Sequence, residues 1–419
     1  MASPEAEPHQ RTLDDASAEV VSADDVEFDV ETDVLVAGGG GCGLTATLAA
    51  CENEDLTVTL LEKSDEVGGN AALSTGMIPA AGTRFQREVG IEETPEDMVR
   101  DIQEKNGHEA DEEMVRHLCE ESVELVHWLV DDWDISLHIV DDFKYPKHSE
   151  YRMHAPPGRN GENLVAEMKD RIEETENTEL LTNTPVKKLV AKDGAVEGVV
   201  AGAVRDEAIR AEKVILATDG FAGNKEMVRE FCEEDIADAL YYGSDGNTGD
   251  GIRWGAELGG DLASMDAYQG HATVVDGTGV LSTYAVVMNG GILVNADGER
   301  FGNESKGYSE FALDVVRQDG GVAYEIFDER IFEKLEGEFE DFDRAIELGS
   351  YDHADSVDAL AETLGCDPDA TAAAVEAYNE AVEAGEPDEV GRLDGRDTLS
   401  APFYGTTVTG SLFHTQGGL

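Results

Sequence analysis

Basic residues are scarce in this chain: 30 Lys and Arg stand against 92 Asp and Glu, a formal net charge of −62. That balance excludes a surface built to hold nucleic acid or anionic lipid, because phosphates need Lys and Arg opposite them. Cysteine is also sparse. Cys42, Cys51, Cys119, Cys232 and Cys366 form no C-x-x-C pair, which argues against a disulfide scaffold or a zinc ribbon. No stretch approaches eighteen apolar residues, and the opening residues contain neither an apolar signal core nor a twin arginine. These absences predict a cytoplasmic protein that does not insert into a membrane, with a disordered acidic extension over residues 1–27.

The acid is not gathered in a tail. It is spread through helical segments such as Glu92–Asp101, Glu109–Glu124 and Glu333–Asp343. With 41% hydrophobic residues over 419 positions the chain has enough apolar material for a core of two or three domains. An acidic globular surface of this kind predicts salt adaptation: at molar salt the Debye length falls to about 3 Å and self-repulsion is screened.

The most telling stretch runs from Asp33 to Asn70. An apolar strand (Val34–Val36) enters a turn with Gly38, Gly40 and Gly43, and a small-residue helix (Leu44–Ala50) follows. This is the strand, turn and helix order of a dinucleotide site. Gly38 permits the tight turn, Gly40 lets backbone N–H groups approach a pyrophosphate, and Gly43 lets helix and strand pack closely. A second apolar run, Leu56–Leu61, ends on Glu62, nineteen residues past Gly43. A carboxylate there can accept hydrogen bonds from ribose hydroxyls. Cys42 sits inside the turn as a small packing residue.

Further along, Phe143–Leu164 is a loop rich in Pro, His and Gly. Its His148 and His154 have no matching acidic cluster, so no metal site is expected. Leu164–Glu173 has helical periodicity. Leu180–Ala201 alternates like strands around an Asp193-Gly194 hairpin signal, and Lys213–Phe221 is a buried strand ending in a glycine turn. These elements predict a parallel sheet with a three-stranded antiparallel excursion. Beyond His271 the pattern changes to strands around VVMNGGILVN and amphipathic helices, including Thr371–Gly385.

Taken in order, GGGGCG with EK and GGN, ATDGFAGN (217–224), NTGDGIRWGAELGG (247–260), QGHAT (269–273), GGILVNADGERFGNES (290–305), AETLGCDPDA through AYNEAVEAG, and FHTQGGL (413–419) resemble one family. It is that of the FAD-dependent fumarate reductase, succinate dehydrogenase and 3-ketosteroid dehydrogenase flavoproteins. The resemblance implies an α/β fold: a two-part FAD-binding domain (28–271) with a Rossmann-like sheet, an inserted α+β cap (272–412), and the start of a return to the FAD domain (413–419). It implies FAD and hydrogen exchange across a CH–CH bond beside a carbonyl or carboxylate, with an unknown electron partner. No histidine precedes GGN as in covalently flavinylated relatives, so FAD is expected to be non-covalent.

By the same resemblance the turn with Gly38, Gly40, Gly41, Cys42 and Gly43 holds the adenine and pyrophosphate end and Glu62 the ribose. Lys63, Gly69, Asn70, Ala71, Ser74 and Gly76 follow the flavin side, Val186 approaches the adenine, and Thr218 and Asp250 are further contacts. Asp219 replaces a usual glycine. His271 and His414 match the two substrate-binding histidines. Tyr308 takes the position of the fumarate reductases' catalytic arginine and instead matches a ketosteroid dehydrogenase tyrosine that resembles a general base. Tyr284 and Val287 stand where the fumarate proton relay has a glutamate and an arginine. A saturated or unsaturated ketone or carboxylate other than fumarate is therefore expected. Relatives continue past the last motif, so the chain is expected to lack the end of the FAD domain. The rival expectation is a non-catalytic flavoprotein remnant, or a subunit completed by another chain.

Overall fold

The computed structural model describes residues 19–142, 144–145, 147–393 and 395–419. The chain divides into two compact units, one of residues up to Asp219 with Ser244–Asp261 and Leu419, the other of Gly220–Gly243 and Leu262–Gly418.

A seven-stranded sheet organises the first unit, in the order Glu19–Ser22, Val186–Lys192, Ala195–Ala201, Glu207–Leu216, Val30–Ala37, Val58–Leu61, Thr178–Leu181. The last four are parallel neighbours, whereas the run from Val186 to Leu216 pairs antiparallel. Val34–Ala37 and Val58–Leu61 are buried without alternation, as central parallel strands covered on both faces must be. Val34, Val36, Val58 and Leu60 pack with Leu44 and Leu48 of the Gly41–Cys51 helix and with Val165, Met168 and Ile172 of the Gly161–Glu173 helix. Leu35, Ala37 and Leu61 pack on the other side with Leu189, Val199 and Trp254. Asp193 and Gly194 both have positive φ, 52° and 81°, as the two-residue hairpin turn requires.

The disordered extension needs correction where it is described. Residues 1–18 lie outside the described residues, but Glu19–Ser22 is a parallel edge strand beside Val186–Lys192. Val20 joins the core beneath the sheet, and Glu19 and Asp24 pair with Lys188 and Lys192. Two valines in an acidic stretch suffice for an edge strand when the neighbouring strand supplies cations.

In the second unit the thirteen-residue strand Phe403–Thr415 is the common partner of Leu240–Tyr241, Tyr268–Val275, Val322–Asp328 and Asp352–Ala354, and Ile292–Val294 extends the sheet beyond Val322–Asp328. The expected limits at 271/272 and 412/413 fall inside the strands Tyr268–Val275 and Phe403–Thr415, whose burial continues across them. Ala285–Met288 is a helical turn rather than a strand, and Gly290 at φ 116° reverses the chain into Ile292–Val294. The acidic segment Glu333–Asp343 breaks between the helices Glu329–Leu335 and Glu340–Glu347, with Gly337 at φ 79° between them.

Two arginines and two carboxylates lie buried in this unit. Arg300 holds Glu304 through Nε and Nη2 (3.1 and 2.6 Å) and Asp388 through Nη1 (2.9 Å). Arg392 stands 3.5 Å from Glu304 and donates to the Val287, Gly291 and Gly395 carbonyls. Leu293 N–H donates to Glu304 as well, and the Tyr284 hydroxyl donates to the Glu304 carbonyl at 2.7 Å. The charges balance, so removing one leaves a buried ion without its partner. Arg392→Leu is expected to cost about 3–5 kcal/mol of stability, read by chemical denaturation in molar KCl. A loss below about 1 kcal/mol would show that the network is not structural.

Candidate cofactor and catalytic sites

The strand Val30–Ala37 ends on Gly38 at φ 109°, where a Cβ would stand 2.2 Å from the Ala217 carbonyl oxygen. A Cβ on Gly43 would stand 1.8 Å from the Gly38 oxygen, so helix and turn touch backbone to backbone. Gly40 is different. The nearest atom to a Cβ there is Gly68 O at 3.8 Å, and its side faces open space. Gly40 is also the N-cap of Gly41–Cys51, with no side-chain acceptor and no carboxylate in the first turn. Helices starting at Pro95, Glu112 and Gly161 are capped by Thr94, Asp111 and Asn160. The uncapped N–H groups and positive helix end suit an anion.

Beside this turn lies an open cleft. Gly38, Gly40, Glu62, Lys63, Gly69, Val186, Thr218 and Asp250 line it together. Glu62 is buried, its two oxygens accepting from Gly39 N–H and Ser64 N–H at 2.7 Å each. A carboxylate has lone pairs for further donors, so the bonds orient Glu62 without exhausting it. Lys63 Nζ reaches Asp250 at 3.0 Å and the Thr248 hydroxyl at 2.9 Å. Thr218 Oγ1 accepts from Gly251 N–H at 3.1 Å. Asn70 donates to Asp219 at 2.7 Å and accepts from Ser244 N–H at 2.8 Å.

Gly41, Cys42 and Gly43 form the first helical turn, with Cys42 exposed, and Ala71 packs beside Gly41. Ser74 and Gly76 do not line the cleft: Ser74 O accepts from Gly161 N–H, and Gly76 lies against Pro156 and Gly161. Ser244, Gly246, Asn247 and Trp254 line it and are absent from the expected contacts. Ser244, Gly246 and Asn247 belong to the glycine-rich run GSDGNTGDG, the one local mark they leave, and Trp254 leaves none. Asp219 has φ 63°, the left-handed region that glycine enters freely and Asp tolerates, which accounts for a usual glycine there.

Within the second unit, His271 lies between two irregularities in the pairing of Tyr268–Val275 with Phe403–Thr415. Phe413 is extra between the pairs Gln269–His414 and Gly270–Leu412, and Ala272 and Thr273 together face Gly410. Such bulges re-aim side chains. The His271 ring stacks on Tyr308 (centroids 5.1 Å apart, planes at 27°) and on Phe413 (5.3 Å, 13°), and Phe413 stacks on Tyr242 (5.1 Å). Tyr284 meets His271 and Tyr308 edge-on, 6.0 Å from each. Burial pushes the His271 pKa down to about 3, so the ring is neutral at ordinary pH. His414 is half-buried, its Nδ1 3.4 Å from the Thr415 carbonyl oxygen, and among the described residues it makes no ring contact with the stack.

The FAD binding domain family matches residues 33–419. The chain belongs to this family. It is 32% identical to the fumarate reductase (cytochrome) of Shewanella frigidimarina over 92% of this chain and 67% of that one. Its fold superposes on the open conformation of a flavocytochrome c3 fumarate reductase with TM-score 0.80 and 30% identity, covering 94% of this chain and 69% of the other. For 3-ketosteroid-delta4-(5alpha)-dehydrogenase from Rhodococcus jostii RHA1 the TM-score is 0.74, with 27% identity over 96% and 88%. The chain spans about two thirds of the length of the curated relatives it matches.

FAD is the cofactor of this flavoprotein, and the first unit fits it: an uncapped helix end for the diphosphate, an oriented carboxylate for the ribose, and a cleft into which Gly40 projects no side chain. The two glycines make opposite predictions. Gly40→Ala is expected to keep the fold, within about 0.5 kcal/mol, because its methyl meets open space. It should weaken FAD binding at least about tenfold by occupying the phosphate approach, a loss of about 1.4 kcal/mol. Gly43→Ala is expected to lower the melting temperature of the FAD-free protein itself. Calorimetry and flavin titration separate the two; a Gly40→Ala protein with unchanged FAD affinity would refute the phosphate assignment.

Proposed function

We propose that this chain uses non-covalently held FAD to add or remove hydrogen across a CH–CH bond next to a carbonyl or carboxylate. The observation that carries the reading is the stacked pair Tyr308 and His271, an ionisable phenol against a neutral imidazole. FAD, when bound, exchanges a hydride equivalent with one carbon. The neighbouring carbon must exchange a proton with a side chain, and Tyr308 is the group assigned to it. Negative charge that develops on the substrate oxygen needs a hydrogen-bond donor, the role given to His271 with His414 as a second.

Tyr284 and Val287 argue further against fumarate. Both are buried, and burial pushes the Tyr284 phenol well above its ordinary range, so neither offers the relay of a carboxylate and a guanidinium. A saturated or unsaturated ketone, or a carboxylate other than fumarate, suits the ring stack better. The family match over most of the chain favours an enzyme over a remnant.

Purified in molar KCl, the protein should show a bound flavin spectrum, released on denaturation. Reduced anaerobically, it should be reoxidised by enones or unsaturated acids faster than by fumarate. Tyr308→Phe should retain the spectrum and lose about 10²–10⁴-fold in turnover. Turnover within twofold of the parent in that variant would remove Tyr308 from the chemistry.

We also infer a salt-rich cytoplasm as the working compartment, from the excess of 62 acidic over basic residues. Among the described residues no helix is long and apolar enough to cross a membrane. Raising KCl from about 0.1 M to 2 M shortens the Debye length several-fold and should raise the melting temperature steeply. A melting temperature independent of salt would count against the inference.

A further inference from the structure

Glu325 is a buried carboxyl group with no part in the cofactor cleft or the ring stack. It lies on Val322–Asp328 and accepts a hydrogen bond from the Ser282 hydroxyl, which is also 3.0 Å from the Tyr351 hydroxyl. Among the described residues its other oxygen has no hydrogen-bond partner and no cation pairs with it. Burial pushes its pKa up to about 8, so the group is held mainly as the neutral acid. A buried polar group with one oxygen unpartnered costs stability.

That network leads to His271. Ser282 grips Thr273 at both ends: Ser282 N–H donates to the Thr273 carbonyl at 2.9 Å, and the Thr273 hydroxyl donates to the Ser282 carbonyl at 2.5 Å. Thr273 belongs to the bulge opposite Gly410, and its N–H donates to His271 Nδ1 at 3.2 Å. A backbone N–H can only donate. Nδ1 must therefore present its lone pair, and a neutral ring then carries its proton on Nε2. Among the described residues Nε2 has no partner, and it is not one of the fully enclosed unpartnered atoms, so it is the nitrogen free to meet a ligand.

We propose that Glu325 is a positioning residue for His271, acting through Ser282 and Thr273 to fix the imidazole as the neutral tautomer with its proton on Nε2. The proposal rests on the reading of His271 as a substrate-side group. It divides the labour: His271 donates a hydrogen bond without transferring its proton, and proton exchange belongs to Tyr308.

The test is nitrogen NMR of the FAD-loaded full chain, labelled with ¹⁵N in its histidine rings and held in molar KCl. His271 resonances are identified by their disappearance in His271→Gln. Nε2 should be protonated and Nδ1 bare, without change between about pH 5.5 and 8.5, the range in which an ordinary histidine titrates. A ring that titrates in that range, or carries its proton on Nδ1, overturns the proposal whatever the variants do. Glu325→Gln keeps an acceptor oxygen and should leave both resonances in place and kcat within about twofold, whereas Glu325→Leu should mix the tautomers and lower kcat about tenfold at equal flavin content. Parental resonances in Glu325→Leu overturn the role of Glu325. If that variant does not fold, Ser282→Ala carries the same expectation and the same refutation. A protein without turnover would sink the proposed function while leaving the NMR result decisive for the tautomer.

Discussion

The contact between Gly43 and the Gly38 carbonyl governs the first unit. With only 1.8 Å between that oxygen and a hypothetical Cβ, the helix can approach the strand end only as glycine on glycine. This closeness places the start of Gly41–Cys51 at the edge of the sheet, where Gly40 and the cleft meet. It also brings Gly39 N–H to Glu62, so a hydrogen bond joins the turn to the end of the second strand. A larger residue at position 43 would displace the helix start and the Gly39–Glu62 hydrogen bond together.

The second unit solves a different problem. A regular antiparallel ladder would commit the Thr273 N–H to the neighbouring strand and set Phe413 in the ordinary alternation. The two bulges release both: Phe413 stacks on His271, and Thr273 turns its N–H to the imidazole. Packing in this unit depends on balanced polar groups as well as apolar ones. Arg300, Glu304, Asp388 and Arg392 balance one another's charge, and the same Glu304 holds Tyr284 by its carbonyl.

Much of the nucleotide cleft is legible in the sequence because its constraints are local. A glycine turn, a helix start and an acidic residue at the end of the next strand lie within thirty residues of one another, and each has a steric or electrostatic reason. Ser244, Gly246, Asn247 and Trp254 are harder to read, since they reach the cleft only through long-range folding. Bulges leave almost no mark in a sequence: nothing in QGHATVV or GSLFHT announces an extra residue. Val20 and Val21 were hidden by composition, because an acidic average conceals two apolar neighbours that need only a strand edge to bind.

The same physics runs in opposite directions at the surface and inside. Outside, acidic groups remain charged and the solvent must screen them. Inside, burial removes charge rather than screening it: His271 is driven to the neutral base and Glu325 toward the neutral acid, by desolvation in each case. Two neutral groups of opposite type can belong to one hydrogen-bond network without the repulsion that fills the surface. Around His271 the described polar contacts are thus hydrogen bonds between neutral groups, on which salt that screens the exterior has little to act.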